Sequence, residues 1–297
     1  MQGDEWYHTR MPTTENARRS LLRRTVIILL ILAAIPALAA MVLHLTIPLR
    51  ATASPPVASD VAIIVSPHPD DETYAMGQTI ATQDIEGVHT IAVLVTDGDS
   101  SVHVDWWREE HGCDVDGDGD QDRWDFGLAR RAEYENALEI LGADEVIFLG
   151  GADSQGASGF RDTEVDADQL ADALSEIARD NPGADWFTIA PYASERWYAG
   201  DYKNHPDHGE VARAVATAAR ENDGDAYYFK VYTYYLRPFA RFAPVRVQGT
   251  DEARERKRQA VEAFSVIGAK STPELYDATR LDPAEYLVTD PPFPESD

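Results

Sequence analysis

Two short stretches of this chain carry residue types suited to catalysis. Residues 66–72 read SPHPDDE and residues 205–208 read HPDH. Imidazoles beside carboxylates are the donors that divalent metals and proton transfers use. In both stretches the proline fits the first helical position, where its missing N–H is no loss, and the acids after it suit the helix dipole. One such stretch alone reads equally as an ordinary helix start. Two at matching places are a stronger signal.

Zinc hydrolases commonly take three His, Asp or Glu ligands and leave one position for water. His68, Asp71 and His208 make such a set. A metal there would lower the pKa of its water from ~15.7 to about 7. Asp70 is then the candidate to accept that water's proton, and His205 to stabilise an oxyanion or protonate a leaving amine. Asp207 is expected to orient a histidine and fix its tautomer. Iron or manganese would also suit two histidines and an aspartate. Glu72 and Asp97 stay off the catalytic set, as a first-turn acid and a turn residue. Arg130 and Arg131 stay off it as a solvated helix face.

Those residues need a framework. Apolar runs predict strands at Val61–Val65, Thr90–Thr96, Glu145–Leu149, Trp186–Ala190 and Lys230–Leu236. Amphipathic segments predict helices at Glu72–Glu86, Leu128–Leu141, Asp166–Arg179, His208–Glu221 and Asp251–Ile267. This alternation predicts an α/β fold, a Rossmann-like three-layer sandwich with a mainly parallel sheet. Ligands in such sheets sit beyond the carboxyl ends of strands, where both histidine stretches fall.

Composition narrows the function. The chain has 297 residues, 26 basic and 52 acidic, for a net charge of −26. A protein this acidic lacks the basic footprint of a nucleic-acid binder. Cys113 is the only cysteine, so no internal disulfide forms. Residues 1–49 hold five Arg against three acids, so residues 50–297 carry −28. Within that basic segment, Thr25–Leu49 has no charged residue and as a helix would span about 37 Å, enough for a bilayer core of about 30 Å. Arg18, Arg19, Arg23 and Arg24 precede it, which keeps 1–24 cytoplasmic and places the rest outside. The expected organisation is therefore a cytoplasmic segment 1–24, a transmembrane anchor 25–49, a linker 50–60, a catalytic domain 61–271 and an acidic, Pro-rich tail 272–297 that wraps the surface or frays. A cleaved signal peptide ending near Ala37-Leu38-Ala39, giving a secreted protein, is the alternative.

The insert DVDGDGDQDRWD (114–125) puts Asp114, Asp116, Asp118, Asp120 and Asp125 at loop positions 1, 3, 5, 7 and 12, with Gly119 at position 6. That is calcium-loop spacing, with Asp in place of the usual Glu at position 12. A structural calcium ion is the expectation, and an acidic surface loop the alternative. The preceding HVDWWREEHG does not read as a helix. Trp197, Tyr198 and Tyr202 in PYASERWYAGDYKN are candidates to stack on a sugar ring; Trp106 and Trp107 offer the same faces, or a membrane-interface contact.

The run VAIIVSPHPDDE resembles the signature of the PIG-L/LmbE family of zinc-dependent de-N-acetylases, an apolar strand followed by (A/S)-x-H-P-D-D-E. HPDH at 205–208 is similar to the family's second signature. TDGD (96–99), ARRAEYENALEILG (129–142) and FLGG (148–151) resemble weaker blocks, and the likeness covers most of 61–268. The resemblance implies His68, Asp71 and His208 as metal ligands, Asp70 as general base and His205 as transition-state stabiliser. It also implies hydrolysis of the N-acetyl group of an N-acetylglucosamine-type conjugate or glycolipid. Two alternatives stay open: an amidase for a different amide, and a non-catalytic, calcium-stabilised carbohydrate-binding domain.

Overall fold

The computed structural model describes residues 52–112, 114–150, 159–191, 205–231 and 245–288, together with Thr25 and Ile35. The chain divides into two units, Met1–Leu49 and Arg50–Asp297. In the first unit Thr25 and Ile35 are helical, and the rest of the expected anchor lies outside the described residues. Among the described residues no helix is long and apolar enough to cross a membrane.

In the second unit, the strand β2 (Val61–Ser66) sends alternate side chains into two different cores. Ala62 and Ile64 join Tyr74, Ile80, Leu138 and Val261 on one face, while Ile63 and Val65 join Leu170, Leu174, Val211 and Val215 on the other. A strand apolar on both faces is what a parallel sheet covered by helices on both sides requires. The remaining strands are β1 (Thr52–Ala53), β3 (His89–Leu94), β4 (Glu145–Phe148), β5 (Asp185–Ile189), β6 (Ala226–Phe229), β7 (Val245–Val247) and β8 (Glu285–Val288). They form one sheet in the order β1-β7-β8-β6-β5-β2-β3-β4, parallel except where β8 runs antiparallel between β6 and β7. Register is set by pairs such as Ile63↔Ile91 and Ile63↔Trp186 on either side of β2.

The helices are α1 (Asp71–Glu86), α2 (Val104–Glu110), α3 (Arg123–Leu141), α4 (Ala167–Asp180), α5 (Pro206–Glu221), α6 (Asp251–Ala263), α7 (Ile267–Ser271) and α8 (Pro273–Leu281). In α4 the buried Leu170, Ala171, Leu174 and Ala178 recur at helical spacing, and the Asp166 side chain caps the start by accepting from the Gln169 N–H. The chain winds outward from β2 through β3 and β4, then crosses back to β5 and β6. The strand order therefore reverses between β2 and β5, which opens a crevice at their carboxyl ends. The loops after these two strands carry the histidine stretches.

Helix α1 is kinked. Met76 has φ −142° and ψ 21°, outside helical values, which frees backbone groups on both sides. Glu285 of β8 accepts from the Gln78 and Thr79 N–H groups, and the Lys257 ammonium of α6 donates to the Tyr74 carbonyl, 2.8 Å away. Lys257 and Glu285 pair at 2.9 Å, both fully buried. The kink is thus closed by an ion pair from the last helices and strand.

Several expectations need correction. The linker 50–60 is docked: β1 pairs with β7, Pro55 and Ala58 are buried, and Gln83 bonds Ala58 N–H and the Pro56 carbonyl. The fifth predicted strand forms earlier, at Ala226–Phe229, because AYYF packs beside β5; residues 232–236 lie outside the described residues. The last long helix stops at Ala263, and α7 begins separately at Ile267, where Glu133 accepts from the N–H groups of Val266, Ile267 and Gly268. Residues 273–288, expected to wrap the surface or fray, form α8 and β8. HVDWWREEHG contains α2, since Trp107 buries itself against Phe126 at a ring distance of 5.9 Å.

Candidate metal centre

The loop after β2 is tightly held. Val95 N–H donates to the Ser66 carbonyl and Thr96 N–H to the Pro67 carbonyl, extending the β2–β3 pairing into the turn. The Ser66 hydroxyl lies 2.7 Å from the His68 carbonyl and 3.0 Å from Glu72 Oε2. Burial pushes the Glu72 carboxyl up to about 7, so near neutrality it can itself supply a proton to this cluster.

Asp70 sits at φ 105°, a left-handed conformation that costs a non-glycine residue about 1–3 kcal/mol. Arg130 holds it there. Its Nη2 donates to the Pro69 carbonyl at 2.6 Å and lies 3.4 Å from Asp70 Oδ2, while Nη1 reaches the Gly98 carbonyl at 3.3 Å. Gly98 has no alternative: a Cβ there would lie 1.8 Å from Arg130 Nη1. Arg131 forks onto both oxygens of Asp97 and bonds the Gly150 carbonyl. The expected solvated face for these two arginines is therefore wrong. Arg130 is buried and Arg131 is half-buried under the loops.

Asp71 starts α1 and aims its carboxylate across the crevice. Its Oδ2 lies 3.0 Å from His68 Nδ1 and 3.2 Å from His208 Nε2. These spacings are close to the about 3.3 Å between ligands of a tetrahedral zinc ion with bonds of about 2.0–2.1 Å. Two nitrogens and an oxygen, buried and convergent, fit a divalent metal. His208 is delivered by α5, which starts at Pro206, two residues before the predicted range, with the proline at the first helical position. His205 precedes the helix, and its side chain is 30% exposed against 10% or less for His68, Asp70, Asp71 and His208. It is the most exposed of the five.

Charge explains the electrostatics. Burial alone would raise the Asp71 carboxyl, but His208 and His68 reverse that and hold it well below the usual range. Burial pulls the His68 imidazole down, yet Asp162, Asp207 and Asp71 outweigh it and leave it well above its ordinary value. His208 is lowered, chiefly by burial. Asp70 is raised well above an ordinary carboxylate by burial, with Arg130 opposing, which makes it a better proton acceptor once ionised.

Asp207 is fully buried, and its Oδ2 accepts from Thr163 N–H at 2.9 Å and lies 3.3 Å from His68 Nε2. The residue that sequence reasoning missed is Asp162. It comes from the connection between β4 and α4, and its Oδ1 lies 3.2 Å from His205 Nε2 and 3.4 Å from His68 Nε2. No motif surrounds it, so no local signal could have found it. Trp197, Tyr198 and Tyr202 lie outside the described residues.

In the acidic insert, Asp114, Asp116 and Asp118 gather, all exposed; Asp120 and Asp125 are not in that group. Asp125 is buried because α3 begins at Arg123, earlier than predicted. Its Oδ2 accepts from Asp122 N–H in a capping box, and its Oδ1 from the Val115 and Asp116 N–H groups. Both oxygens expected at position 12 of a calcium loop thus hold backbone.

A doubly covered, mainly parallel sheet with a His–Asp–His cradle at its switch point defines an α/β domain built around a candidate metal site. The chain belongs to the PIG-L family: the family profile described as GlcNAc-PI de-N-acetylase matches residues 63–219. It is 29% identical over 227 residues to the 1D-myo-inositol 2-acetamido-2-deoxy-alpha-D-glucopyranoside deacetylase of Mycobacterium sp. strain KMS, covering 74% of this chain and 66% of that protein. Across the first curated relatives, the match spans about half to two thirds of their length (66%, 49% and 54%). The fold is shared with a deacetylase of teicoplanin biosynthesis, at a TM-score of 0.53 and 20% identity over 77% of this chain and 98% of that one. It is shared equally with GalB, the 4-carboxy-2-hydroxymuconate hydratase of Pseudomonas putida KT2440, at a TM-score of 0.51 and 18% identity over 80% and 99%. Fold alone therefore does not choose the reaction.

Proposed function

We infer that this chain is a metal-dependent hydrolase that removes the N-acetyl group from an N-acetylglucosamine-type conjugate. The observation that carries this reading is the meeting of His68, Asp71 and His208 from opposite sides of the crevice, with the carboxylate of Asp70 beside them. The names of the curated relatives, all deacetylases of an acetamido sugar on inositol, support the substrate class.

The roles follow from position. His68 Nδ1, Asp71 and His208 Nε2 would hold the ion, with zinc the best match to two imidazoles and a carboxylate. Such an ion supplies Lewis acidity, polarising the amide carbonyl and acidifying water. Asp70, kept in place by Arg130, accepts the proton of the attacking water. His205, the solvent-facing imidazole, donates to the developing oxyanion and then to the leaving amine. Asp207 anchors the His68 Nε2 side, as carboxylates behind metal-bound histidines do. Trp197 and Tyr202 remain the proposed sugar-stacking residues.

Two secondary assignments go with this reading. A structural calcium ion at Asp114, Asp116 and Asp118 is supported by their convergence. An extracytoplasmic domain tethered by 25–49 is supported by the uncharged run and its flanking arginines; membrane fractionation with protease protection tests it.

The deciding experiment measures metal content and acetate release together, on a panel of N-acetylglucosaminyl-inositol, a glycolipid and chitooligosaccharides. Acetate release that chelation abolishes and zinc restores is expected. A zinc-loaded, folded protein that releases no acetate from any of them would sink the reading.

A further inference from the structure

On the far side of His68 lies a second group of metal donors, in which Asp162 joins three residues of the crevice. Asp162 Oδ1 is 3.4 Å from His68 Nε2 and 3.2 Å from His205 Nε2. Asp207 Oδ2 is 3.3 Å from His68 Nε2 and 3.6 Å from His205 Nδ1. The four residues each offer one ligand atom, all within 4.8 Å of one another. All four separations exceed the about 2.9 Å of an ordinary N–H···O bond, and the three that involve His68 Nε2 or His205 Nε2 lie close to the about 3.3 Å edge of a tetrahedral zinc site.

The polar inventory points the same way. Asp162 Oδ1, Asp207 Oδ1 and His205 Nδ1 are buried atoms without a hydrogen-bond partner among the described residues. Buried polar atoms left so are rare and invite an ion or water. Asp162 is already braced through its other oxygen, and Asp207 through the same oxygen that faces His68. Ser100 N–H donates to Asp162 Oδ2 at 3.1 Å, and Thr163 N–H to Asp207 Oδ2 at 2.9 Å. A braced carboxylate whose free oxygen faces two imidazoles, as at Asp162, is what a metal site asks of its surroundings.

We propose that His68 Nε2, Asp162, His205 and Asp207 form a second divalent-metal site, suited to zinc, beside the one held by His68 Nδ1, Asp71 and His208. The His68 ring is shared. Binding at Nε2 releases that nitrogen's proton to solvent, so the imidazolate bridges two ions. His205 is drawn into coordination and can no longer serve an oxyanion, so filling this site inhibits turnover. The site rests on geometry, whereas its inhibitory effect rests on the deacetylase reading.

The test uses the full chain, stripped by chelator and equilibrated with buffered zinc in excess calcium, so that the 114–118 loop is not counted. Bound zinc is measured by elemental analysis, and a parallel cobalt titration is followed by its visible spectrum. Wild type is expected to take a second, weaker equivalent with its own cobalt spectrum. Asp162→Asn, with its fold checked by circular dichroism, is expected to stop at one. Excess zinc should inhibit acetate release by wild type, and Asp162→Asn should need at least about tenfold more zinc for the same inhibition. Saturation of wild type at one equivalent overturns the site, and two equivalents persisting in Asp162→Asn overturn this ligand set. The stoichiometry is read without substrate, so it fails or holds separately from the deacetylase reading.

Discussion

The crevice and the acidic insert are both rich in carboxylates, yet the fold treats them in opposite ways. In the crevice, Asp71 is 4% exposed and stands between imidazoles that follow two neighbouring strands, β2 and β5, distant in sequence. In the insert, Asp114, Asp116 and Asp118 are exposed, and their oxygens already accept N–H groups of the same loop, as with Asp114 and Gly117 at 2.6 Å. The first arrangement needs the whole sheet to exist. The second is a local turn that orders itself. Donor spacing along the chain therefore says less about a metal than whether the donors are buried and supplied by separate elements.

Substitutions can break this contrast, the largest effect first. Asp71→Asn should cost more than about a hundredfold in zinc affinity, exceeding what outer ligands contribute, and abolish acetate release. The triple change of Asp114, Asp116 and Asp118 to Asn should leave zinc content unchanged, by elemental analysis of both proteins. Asp70→Asn should retain zinc and lower kcat by about 10²–10⁴-fold in steady-state assays. Wild-type turnover there would remove its role as base.

The framework gives the next contrast. Lys257→Met strands Glu285 as a buried charge and should cost about 3–5 kcal/mol in denaturant titration. Adding Glu285→Leu should recover only part of this, because the Gln78 and Thr79 N–H groups lose their acceptor. Full recovery would show that the pair does nothing for the kink. Smallest of all, calcium should raise Tm by about 2–4 °C while leaving kcat untouched. A calcium-dependent kcat would mean the insert is coupled to the crevice.

Much of this was legible in the residues. The strands around the crevice begin and end within one or two positions of where their apolar runs predict, because β2, β3 and β5 are buried on both faces and little competes with that pattern. The two histidine stretches announced themselves through proline and acids near helix starts, although only Pro206 opens its helix, since α1 starts two residues past Pro69. What sequence could not reveal depends on packing from afar. Arg130 has the spacing of a solvated position, yet the loops after β2 and β3 close over it. Asp162 sits in a connection with no pattern and gains meaning only because α5 brings His205 to it. β8 is four residues long, too short to stand out beside the prolines around it.

The buried Lys257–Glu285 pair ties the helix that bears Asp71 to a strand that follows it far along the chain. A nascent chain can assemble β2, β3 and β5 early, but the bend in the helix bearing Asp71 stays unsealed until residue 285 has left the ribosome and slipped between its two neighbours. Tight metal affinity should thus depend on β8 as well as on the residues of the crevice.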